Sequence, residues 1–382
     1  MPWAVRGASR SRKPDLKSPQ VTAVATKHSV NGIKQLPCFN GWRAVAILLV
    51  LGLHTEYTPG MPPQLSDFAF KAFDGLLGVR CFFTISGFLI TWLMLQEENA
   101  AGFMSLKNFY VRRALRILPV YLACLMVMAF LQLAGVATQT GFIWLQLLTF
   151  TRNFYQTGHF ECPISLHFWS LSVEEQFYLV WPLVFVSLAC STRSRIWFLA
   201  GMITFSVGSK IIALLGCYSR NLYFLFQDYA TFHYLDCLAY GCLGAILLDT
   251  QAASLKKFSE RFLWPVFLLA CLFLLVPEFV RLGIGLQSLG FGLLLLQSVL
   301  VPEFKPFRIL NHRWVVAIGI LSYSLYIWQQ LVFLLWPFPR LWFLALPSTF
   351  VAAWLSYNFL EKPFFSLRSK FRAQGSAQKF RG

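Results

Sequence analysis

Apolar stretches of about 20 residues recur along most of this chain, and they constrain its fold more than any other feature. A helix needs about 20 apolar residues to cross the hydrocarbon core of a bilayer. Of the 382 residues, 57% are apolar and only 13% are charged, against roughly 45–50% and 25% in soluble domains. The sequence therefore predicts an all-α protein, a polytopic bundle of membrane helices.

We predict about ten transmembrane helices, near residues 41–59, 74–95, 116–134, 169–190, 196–217, 232–249, 262–280, 282–301, 314–336 and 342–360. The net charge is +17. Most lysines and arginines fall in alternate connections, which is typical of cytoplasmic loops, and this pattern puts both termini in the cytoplasm. The apolar run 141–150 is too short to cross and is expected to lie in, or dip into, the outer face.

Two tails flank the membrane body. Residues 1–35 are polar and basic without an apolar core, so they are predicted to be a disordered cytoplasmic tail. Residues 367–382 are predicted to be a second basic cytoplasmic tail, and residues 36–366 the membrane domain. The histidines and cysteines have no spacing suited to zinc, so no bound metal is expected. The basic charge is explained by topology, and no nucleic-acid partner is expected.

Two ionisable side chains, Arg43 and His54, interrupt the first apolar run. Such groups are costly inside a membrane, so each is a candidate for function. Eleven residues make about three helical turns, which places both side chains on one face, roughly 16 Å apart along the axis. Histidine also moves protons near neutral pH. The alternative is a snorkelling arginine with a structural histidine.

A basic motif, residues 108–119, lies at the predicted cytoplasmic end of the third span. Arg113 and Arg116 are three residues apart, so they are neighbours on one helix face. A pair of guanidinium groups can bind phosphate through several donors. An anchor that contacts lipid headgroups is the alternative interpretation.

A dense polar block, residues 167–178, is predicted at the outer start of the fourth span. It contains Ser172 and the adjacent carboxylates Glu174 and Glu175. Adjacent helical positions point about 100° apart, so the two carboxylates cannot form a shared dyad on one face. The block is interpreted as a site, and an interfacial belt anchored by aromatic residues is the alternative.

Hydroxyl groups inside two further spans complete the candidates. Ser86 precedes Gly87 in the second span, where a small residue permits close backbone approach. In the ninth span, Ser322 and Tyr326 are four residues apart and share a face. These groups either serve chemistry or join helices by hydrogen bonds.

The order of these motifs resembles the acyltransferase 3 family of integral membrane acyltransferases, typified by O-antigen and cell-surface polysaccharide O-acetylases. Arg43 and His54 match the arginine and histidine of the family's first span. The other matching segments are residues 79–89, 109–119, 167–178, 321–328 and 357–363. The chain departs from the family pattern at Asn40, Tyr234 and Gln329, so a second catalytic histidine at position 329 is not expected.

The resemblance implies a function and a division of roles. It implies an acyl-CoA donor, most often acetyl-CoA, a hydroxyl acceptor on a cell-surface polysaccharide or lipid-linked sugar, and a bacterial inner membrane. Arg113, Arg116 and Arg43 are expected to bind the CoA phosphates, which makes acyl-CoA a co-substrate rather than a bound cofactor. Arg43 is also expected to belong to the catalytic set, with His54 and Glu174. His54 is expected to act as a general base or to hold the acyl group briefly.

The same comparison suggests the remaining roles. Glu174 is expected to orient the imidazole or the acceptor, Ser86 or Tyr326 to stabilise the oxyanion, and Ser172 and Glu175 to lie near the acceptor. The alternative function is a transporter of a polysaccharide or lipid-linked sugar without acyl transfer. Transporters often contain inverted repeats, and no internal duplication is visible in the sequence.

Overall fold

The computed structural model describes residues 29–30, 33–34, 36–137, 139–154, 163–215, 230–276, 281–369 and 371. The chain divides into two units, Met1–Gln35 and Leu36–Gly382. In the first unit, strands β1 (Ser29–Val30) and β2 (Ile33–Lys34) pair antiparallel. All secondary-structure elements in the described part of the second unit are helices. The predicted limits of the two tails stay predictions.

The second unit contains fourteen α-helices in its described part. In chain order they are α1 (Phe39–His54), α2 (Pro63–Ala72), α3 (Gly75–Ala101), α4 (Leu106–Leu133), α5 (Gly141–Leu148), α6 (Phe168–Ser187), α7 (Thr192–Leu214), α8 (Leu235–Arg261), α9 (Leu263–Leu274), α10 (Arg281–Leu300), α11 (Lys305–Arg308), α12 (Arg313–Leu334), α13 (Ala345–Ser356) and α14 (Lys362–Ser369). A π-helical turn, Tyr357–Glu361, joins α13 to α14.

Each of the ten segments predicted to span the membrane carries a helix, and the predicted all-helical membrane fold is confirmed. Among the described residues, six helical stretches are long and apolar enough to cross a bilayer, or seven if α10 and its continuation, bent by 85°, count as one span. Helices α1 and α9 have only 16 and 12 residues, and carboxylates reduce the hydropathy of α6. The number ten therefore stays a prediction.

Helices α3 and α8 pack in close contact at the centre of the bundle. A side chain at Gly87 would overlap the carbonyl oxygen of Leu238, and one at Gly241 would overlap that of Thr84. The Cys242 thiol donates to the carbonyl of Gly87 at 3.4 Å. Because lipid chains are as apolar as the side chains, helices in a membrane associate through such close approaches.

Helices α1 and α12 form the second close pair and run in the same direction. Near their beginnings, a side chain at Gly319 would overlap the backbone of Asn40. Near their ends, His54 Nδ1 lies 2.7 Å from Gln329 Oε1. The two contacts fix the register of the pair. The level of a residue along α12 can therefore be related to the levels of Arg43 and His54 along α1.

The beginning and end of α3 are fixed by polar groups. Asp74 is its N-cap and accepts from the Leu77 N–H at 2.7 Å. Near the other end, Glu97 pairs with Arg112 of α4 at 2.5 Å. Glu98 forms a bidentate salt bridge with Arg195 of α7, with both N···O distances at 2.8 Å. These pairs attach α4 and α7 to the same end of α3.

We predict that Gly241→Ala lowers the stability of the folded protein by about 1–3 kcal/mol, because the added methyl group forces α3 and α8 apart. The matched control is Gly201→Ala in α7, where no atom lies within 4 Å of the added carbon. This control is expected to be neutral or to stabilise by about 0.4–1 kcal/mol. Thermal unfolding in detergent compares them, and equal melting temperatures would contradict the close α3–α8 contact.

Candidate active site

Two adjoining cavities lie between α3, α4, α6 and α12. The first, called the arginine cavity here, has about 570 Å³ of space between side chains, part of it open to solvent. Its polar lining comes from Arg43, Arg113, Arg116, Ser86, Glu174, Tyr178 and Tyr323. Its apolar lining comes from Phe82, Ile85, Leu89, Ile90, Leu93, Ile117 and Leu171.

The carboxylate of Glu174 is held by two hydroxyl groups at the wall of the arginine cavity. Ser86 Oγ donates to Glu174 Oε1 at 2.6 Å, and the Tyr178 hydroxyl donates to Glu174 Oε2 at 3.2 Å. The guanidinium of Arg113 stacks over the Tyr178 ring, 3.7 Å from its centroid. Hydrogen bonds and a nearby cation are what a carboxylate needs in a membrane interior.

Arg43 and Arg116 form a second charged group in the same cavity. They are close enough to repel each other, and both are attracted by Glu174 and Glu361. Glu361 is 4% exposed, and its carboxylate accepts a 2.5 Å hydrogen bond from Ser324 Oγ. The π-helical turn places Glu361 at this point, and such turns are frequent at functional sites.

The second cavity, called the aromatic pocket here, has about 380 Å³ of space between side chains, part of it open to solvent. It shares Phe82, Leu171, Glu174 and Tyr323 with the arginine cavity and adds Phe83, Ser170, Ser322 and Tyr326. The Tyr326 hydroxyl donates to the carbonyl of His167, and its oxygen lies 2.6 Å from Ser170 Oγ. We call this set of bonds the hydroxyl clamp; it joins α6 to α12.

His54 lines neither cavity. It contacts Gln329, one helical turn beyond Tyr326 on α12. With Oε1 of Gln329 facing the ring, the contact needs Nδ1 of His54 as the donor, and Nε2 is then the basic nitrogen. Gln330 accepts from the backbone N–H of His167 at 3.2 Å, which brings a second imidazole to the same turn of α12.

The structure brings most of the predicted residues together and separates three. Arg43, Arg113, Arg116, Ser86 and Glu174 line one cavity, and Tyr326 lines the next. His54 lies beyond both, and the two remaining candidates face elsewhere. Ser172 Oγ donates to the Phe168 carbonyl at 2.9 Å and accepts from the Arg152 N–H at 3.2 Å. Glu175 lines neither cavity, although Arg113 and Arg116 lie close enough to attract its carboxylate.

The structure adds residues that the sequence reasoning did not assign. Tyr178 and Glu361 take part in the two charged groups described above. His167 is 3% exposed, and neither of its ring nitrogens has a well-placed hydrogen-bond partner among the described residues. A carboxylate directly after an apolar run was a usable signal for Glu361. The π-helical turn that directs this side chain inward could not be predicted from the sequence in the same way.

The arrangement suits an anionic ligand better than a metal. Three guanidinium groups converge on one cavity, and planar multi-donor groups bind phosphate oxygens. In the part of the chain that the structure describes, no group of three or more His, Cys, Asp or Glu side chains could hold a metal ion. Fold and site together define an integral membrane protein with a cation-lined cavity inside its helix bundle.

The chain belongs to an acyltransferase family. The family profile, described as an acyltransferase domain, matches residues 36–359. The resemblance inferred from the motif order is thereby confirmed, and so is the enzyme class at the level of the family. No solved structure matches the chain significantly.

Curated relatives are 26–28% identical to this chain over the aligned part. A Staphylococcus aureus (strain COL) protein, provisionally named an O-acetyltransferase, is 28% identical over 375 residues, which cover 87% of this chain and 58% of that protein. The peptidoglycan O-acetyltransferase OatA of Listeria monocytogenes is 26% identical over 364 residues, covering 86% and 56% respectively. The O-acetyltransferase OatA of Staphylococcus aureus is 26% identical over 367 residues, covering 86% and 57%. The chain therefore spans little more than half the length of these relatives.

We predict that Ser86 and Glu174 are energetically coupled in the stability of the protein. A double-mutant cycle with Ser86→Ala and Glu174→Gln should give a coupling free energy of about 1.5–3 kcal/mol, the range for hydrogen bonds to charged groups. The matched control is the same cycle with Glu175→Gln in place of Glu174→Gln. Glu175 is the next residue, and no hydrogen bond joins it to Ser86 among the described residues. A control coupling as large as the first would show that the cycle reports general destabilisation.

Proposed function

We propose that this protein is a membrane O-acyltransferase. It moves an acyl group, in the first instance acetyl, from cytoplasmic acyl-CoA to a hydroxyl of a cell-surface polysaccharide or lipid-linked sugar. Family membership supports the reaction class, and the single observation that carries the donor is the convergence of Arg43, Arg113 and Arg116 on one cavity. The proposal includes ten spans in a bacterial inner membrane, with both termini cytoplasmic.

The arginine cavity is proposed as the entrance for the donor. The distribution of Lys and Arg supports a cytoplasmic position for the end of the bundle that holds Arg43, Arg113 and Arg116, on the side where CoA is made. Phosphate groups of CoA would pair with the guanidinium groups. Glu361 and Glu174 hold those cations in place within the bundle when no donor is bound, since unpaired charges there are costly.

The path from donor to acceptor follows α12. Gly319 lies beside Asn40 and Gln329 contacts His54, so Ser322, Tyr323 and Tyr326 occupy the interval between the two ends of α1. The aromatic pocket therefore lies between the arginines and His54. The proposed thioester enters through the arginine cavity, passes the aromatic pocket and reaches His54 beyond the hydroxyl clamp.

His54 is proposed to catalyse the transfer. The acceptor hydroxyl gives its proton to Nε2 as its oxygen attacks the thioester carbonyl carbon, and the carbonyl electron pair moves to oxygen. When the tetrahedral centre collapses, the carbonyl re-forms, the C–S bond breaks, and the imidazolium returns the proton to the CoA thiolate. A brief acyl-imidazole, formed as CoA thiol departs and then attacked by the hydroxyl, is the second route.

The remaining predicted residues have supporting roles in this proposal. Glu174 orients the acceptor or the imidazole, and Ser86 holds the carboxylate of Glu174 in place. Tyr326 is the hydroxyl nearest to the turn of α12 that contacts His54, and it would stabilise the oxyanion once it leaves the hydroxyl clamp. Ser172 and Glu175 would act on the acceptor only through their neighbours, because neither lines a cavity.

The acceptor is proposed from chemistry and relatives together. One relative is named a peptidoglycan O-acetyltransferase, and sugar hydroxyls are the acceptors that such a name implies for that protein. For this chain we propose a surface glycan or its lipid-linked precursor. Comparison of surface glycans by mass, between a strain that lacks the gene and its parent, would identify acyl group and acceptor together.

We predict acyl transfer across the membrane. In vesicles with the protein in one orientation, labelled acetyl-CoA is supplied on the side of the arginine cavity and the glycan acceptor on the opposite side. Labelled product is expected on the acceptor side. His54→Ala should lower this transfer at least about 100-fold, because it removes the base, while protein level and insertion stay unchanged.

Three outcomes would contradict this scheme. Product formed only when acceptor and donor share a compartment would show that the site opens to the cytoplasm. Full activity of His54→Ala would remove His54 from the mechanism. Protein that moves a glycan across the membrane but leaves acetyl-CoA intact would support the transporter.

We also predict that Arg113→Ala and Arg116→Ala each weaken acyl-CoA binding about ten-fold or more, because each removes a charge-assisted contact to phosphate. Selectivity among acceptors should not change. Titration of the purified protein with acetyl-CoA measures the affinity, and Arg112→Ala, whose side chain pairs with Glu97, is the matched control. Unchanged affinities in both variants would make these arginines topology anchors.

A further inference from the structure

The aromatic pocket contains one hydroxyl group with no assigned partner. Ser322 is 1% exposed and lines the pocket, and its Oγ has no hydrogen-bond partner among the described residues. The other hydroxyls nearby are engaged: Ser86 donates to Glu174, and Tyr326 takes part in the hydroxyl clamp. Buried polar groups are normally hydrogen-bonded, so a free donor in a cavity points to a ligand atom that accepts.

The shape of the pocket limits what that ligand can be. Phe82, Phe83 and Leu171 supply apolar walls. Phe83 is fixed from behind, since its ring packs against Trp169 and Tyr234 at centroid distances of 6.1 and 5.2 Å. The pocket adjoins the arginine cavity, with which it shares four lining residues. It therefore suits a short apolar group that carries a carbonyl oxygen and is attached to an anionic carrier.

We infer that the aromatic pocket is the docking subsite for the acyl group of the donor, with Ser322 donating to the thioester carbonyl and Phe83 limiting the length of the acyl chain. This inference rests on the proposed function, because it needs an acyl-CoA in the arginine cavity. The subsite would be occupied before the transfer step. Seven residues separate Ser322 from Gln329, which contacts His54, so the docked carbonyl lies roughly 10 Å along α12 from the level of His54.

The test compares the binding of four probes to the full chain in lipid nanodiscs: CoA, acetyl-CoA, butanoyl-CoA and hexanoyl-CoA. Ser322→Ala should weaken acetyl-CoA about three- to ten-fold, the equivalent of one neutral hydrogen bond, and leave CoA unchanged. Phe83→Leu and Phe83→Ala should strengthen hexanoyl-CoA about ten-fold relative to acetyl-CoA, because they lengthen the pocket. Two substitutions are used at position 83 because Phe83→Ala removes more of the side chain and is more prone to misfold than Phe83→Leu.

Two matched controls remove a buried group elsewhere. Thr349→Val deletes a hydroxyl that bonds within α13 to the Ala345 carbonyl, and Phe88→Ala removes a ring that is 1% exposed on α3 but lines neither cavity. Both should keep the wild-type ratios among the four probes. A spectroscopic readout is independent of affinity: the carbonyl stretch of bound [1-¹³C]acetyl-CoA should rise in frequency in Ser322→Ala, as expected on loss of a hydrogen bond.

The outcomes separate the two proposals. A wild-type protein that binds none of the acyl-CoA probes overturns the proposed function and the subsite together. A wild-type protein that binds acetyl-CoA, with Ser322→Ala and both Phe83 variants keeping its ratios, overturns the subsite alone. Equal weakening of CoA and acetyl-CoA in Ser322→Ala shows a structural role of this serine and also overturns the subsite.

Discussion

Buried charge is the constraint on which the rest of this structure depends. Three arginines and two carboxylates, Glu174 and Glu361, lie inside a bundle of apolar helices. Isolated charges there would be several kcal/mol too costly, so each must be placed next to an opposite charge or a hydrogen-bond donor. For this reason polar residues come together from α1, α3, α4, α6 and the π-turn after α13. The space between these polar groups forms the cavity.

Helix α12 organises the distances in the bundle. Its register against α1 is set at one end by Gly319 and at the other by Gln329. Between these points it presents Ser322, Tyr323 and Tyr326 to the cavities. The same helix bonds to α4 through the Tyr323 hydroxyl, which donates to the Ile117 carbonyl at 2.7 Å. One helix thus fixes how far each polar group lies from the arginines.

Hydropathy in the sequence was sufficient to predict the helices and their order, because a membrane requires long apolar segments. It was not sufficient for the number of spans, since α1 and α9 are short and α6 carries two carboxylates. Helical geometry correctly separated Glu174 from Glu175 and placed Arg113 with Arg116. It could not show that Glu361, more than 240 residues from Arg116, comes close enough to attract Arg43 and Arg116, because contacts between distant helices have no local signal. The catalytic roles of the predicted residues stay predictions.

The hydroxyl clamp has a consequence for the membrane itself. A polar route that ran from Arg43 to His54 without interruption would admit water, and a chain of waters would conduct protons down the gradient that the membrane maintains. In the described residues, Tyr326 lies at the wall of the aromatic pocket, between the arginines and His54, and bonds to Ser170 and to the His167 carbonyl. Phe82, whose ring meets that of Tyr326 at 6.4 Å, adds an apolar barrier below it. A tyrosine and a phenylalanine placed across such a route would let the bundle hold charges and hydroxyls along its interior and still remain an electrical insulator.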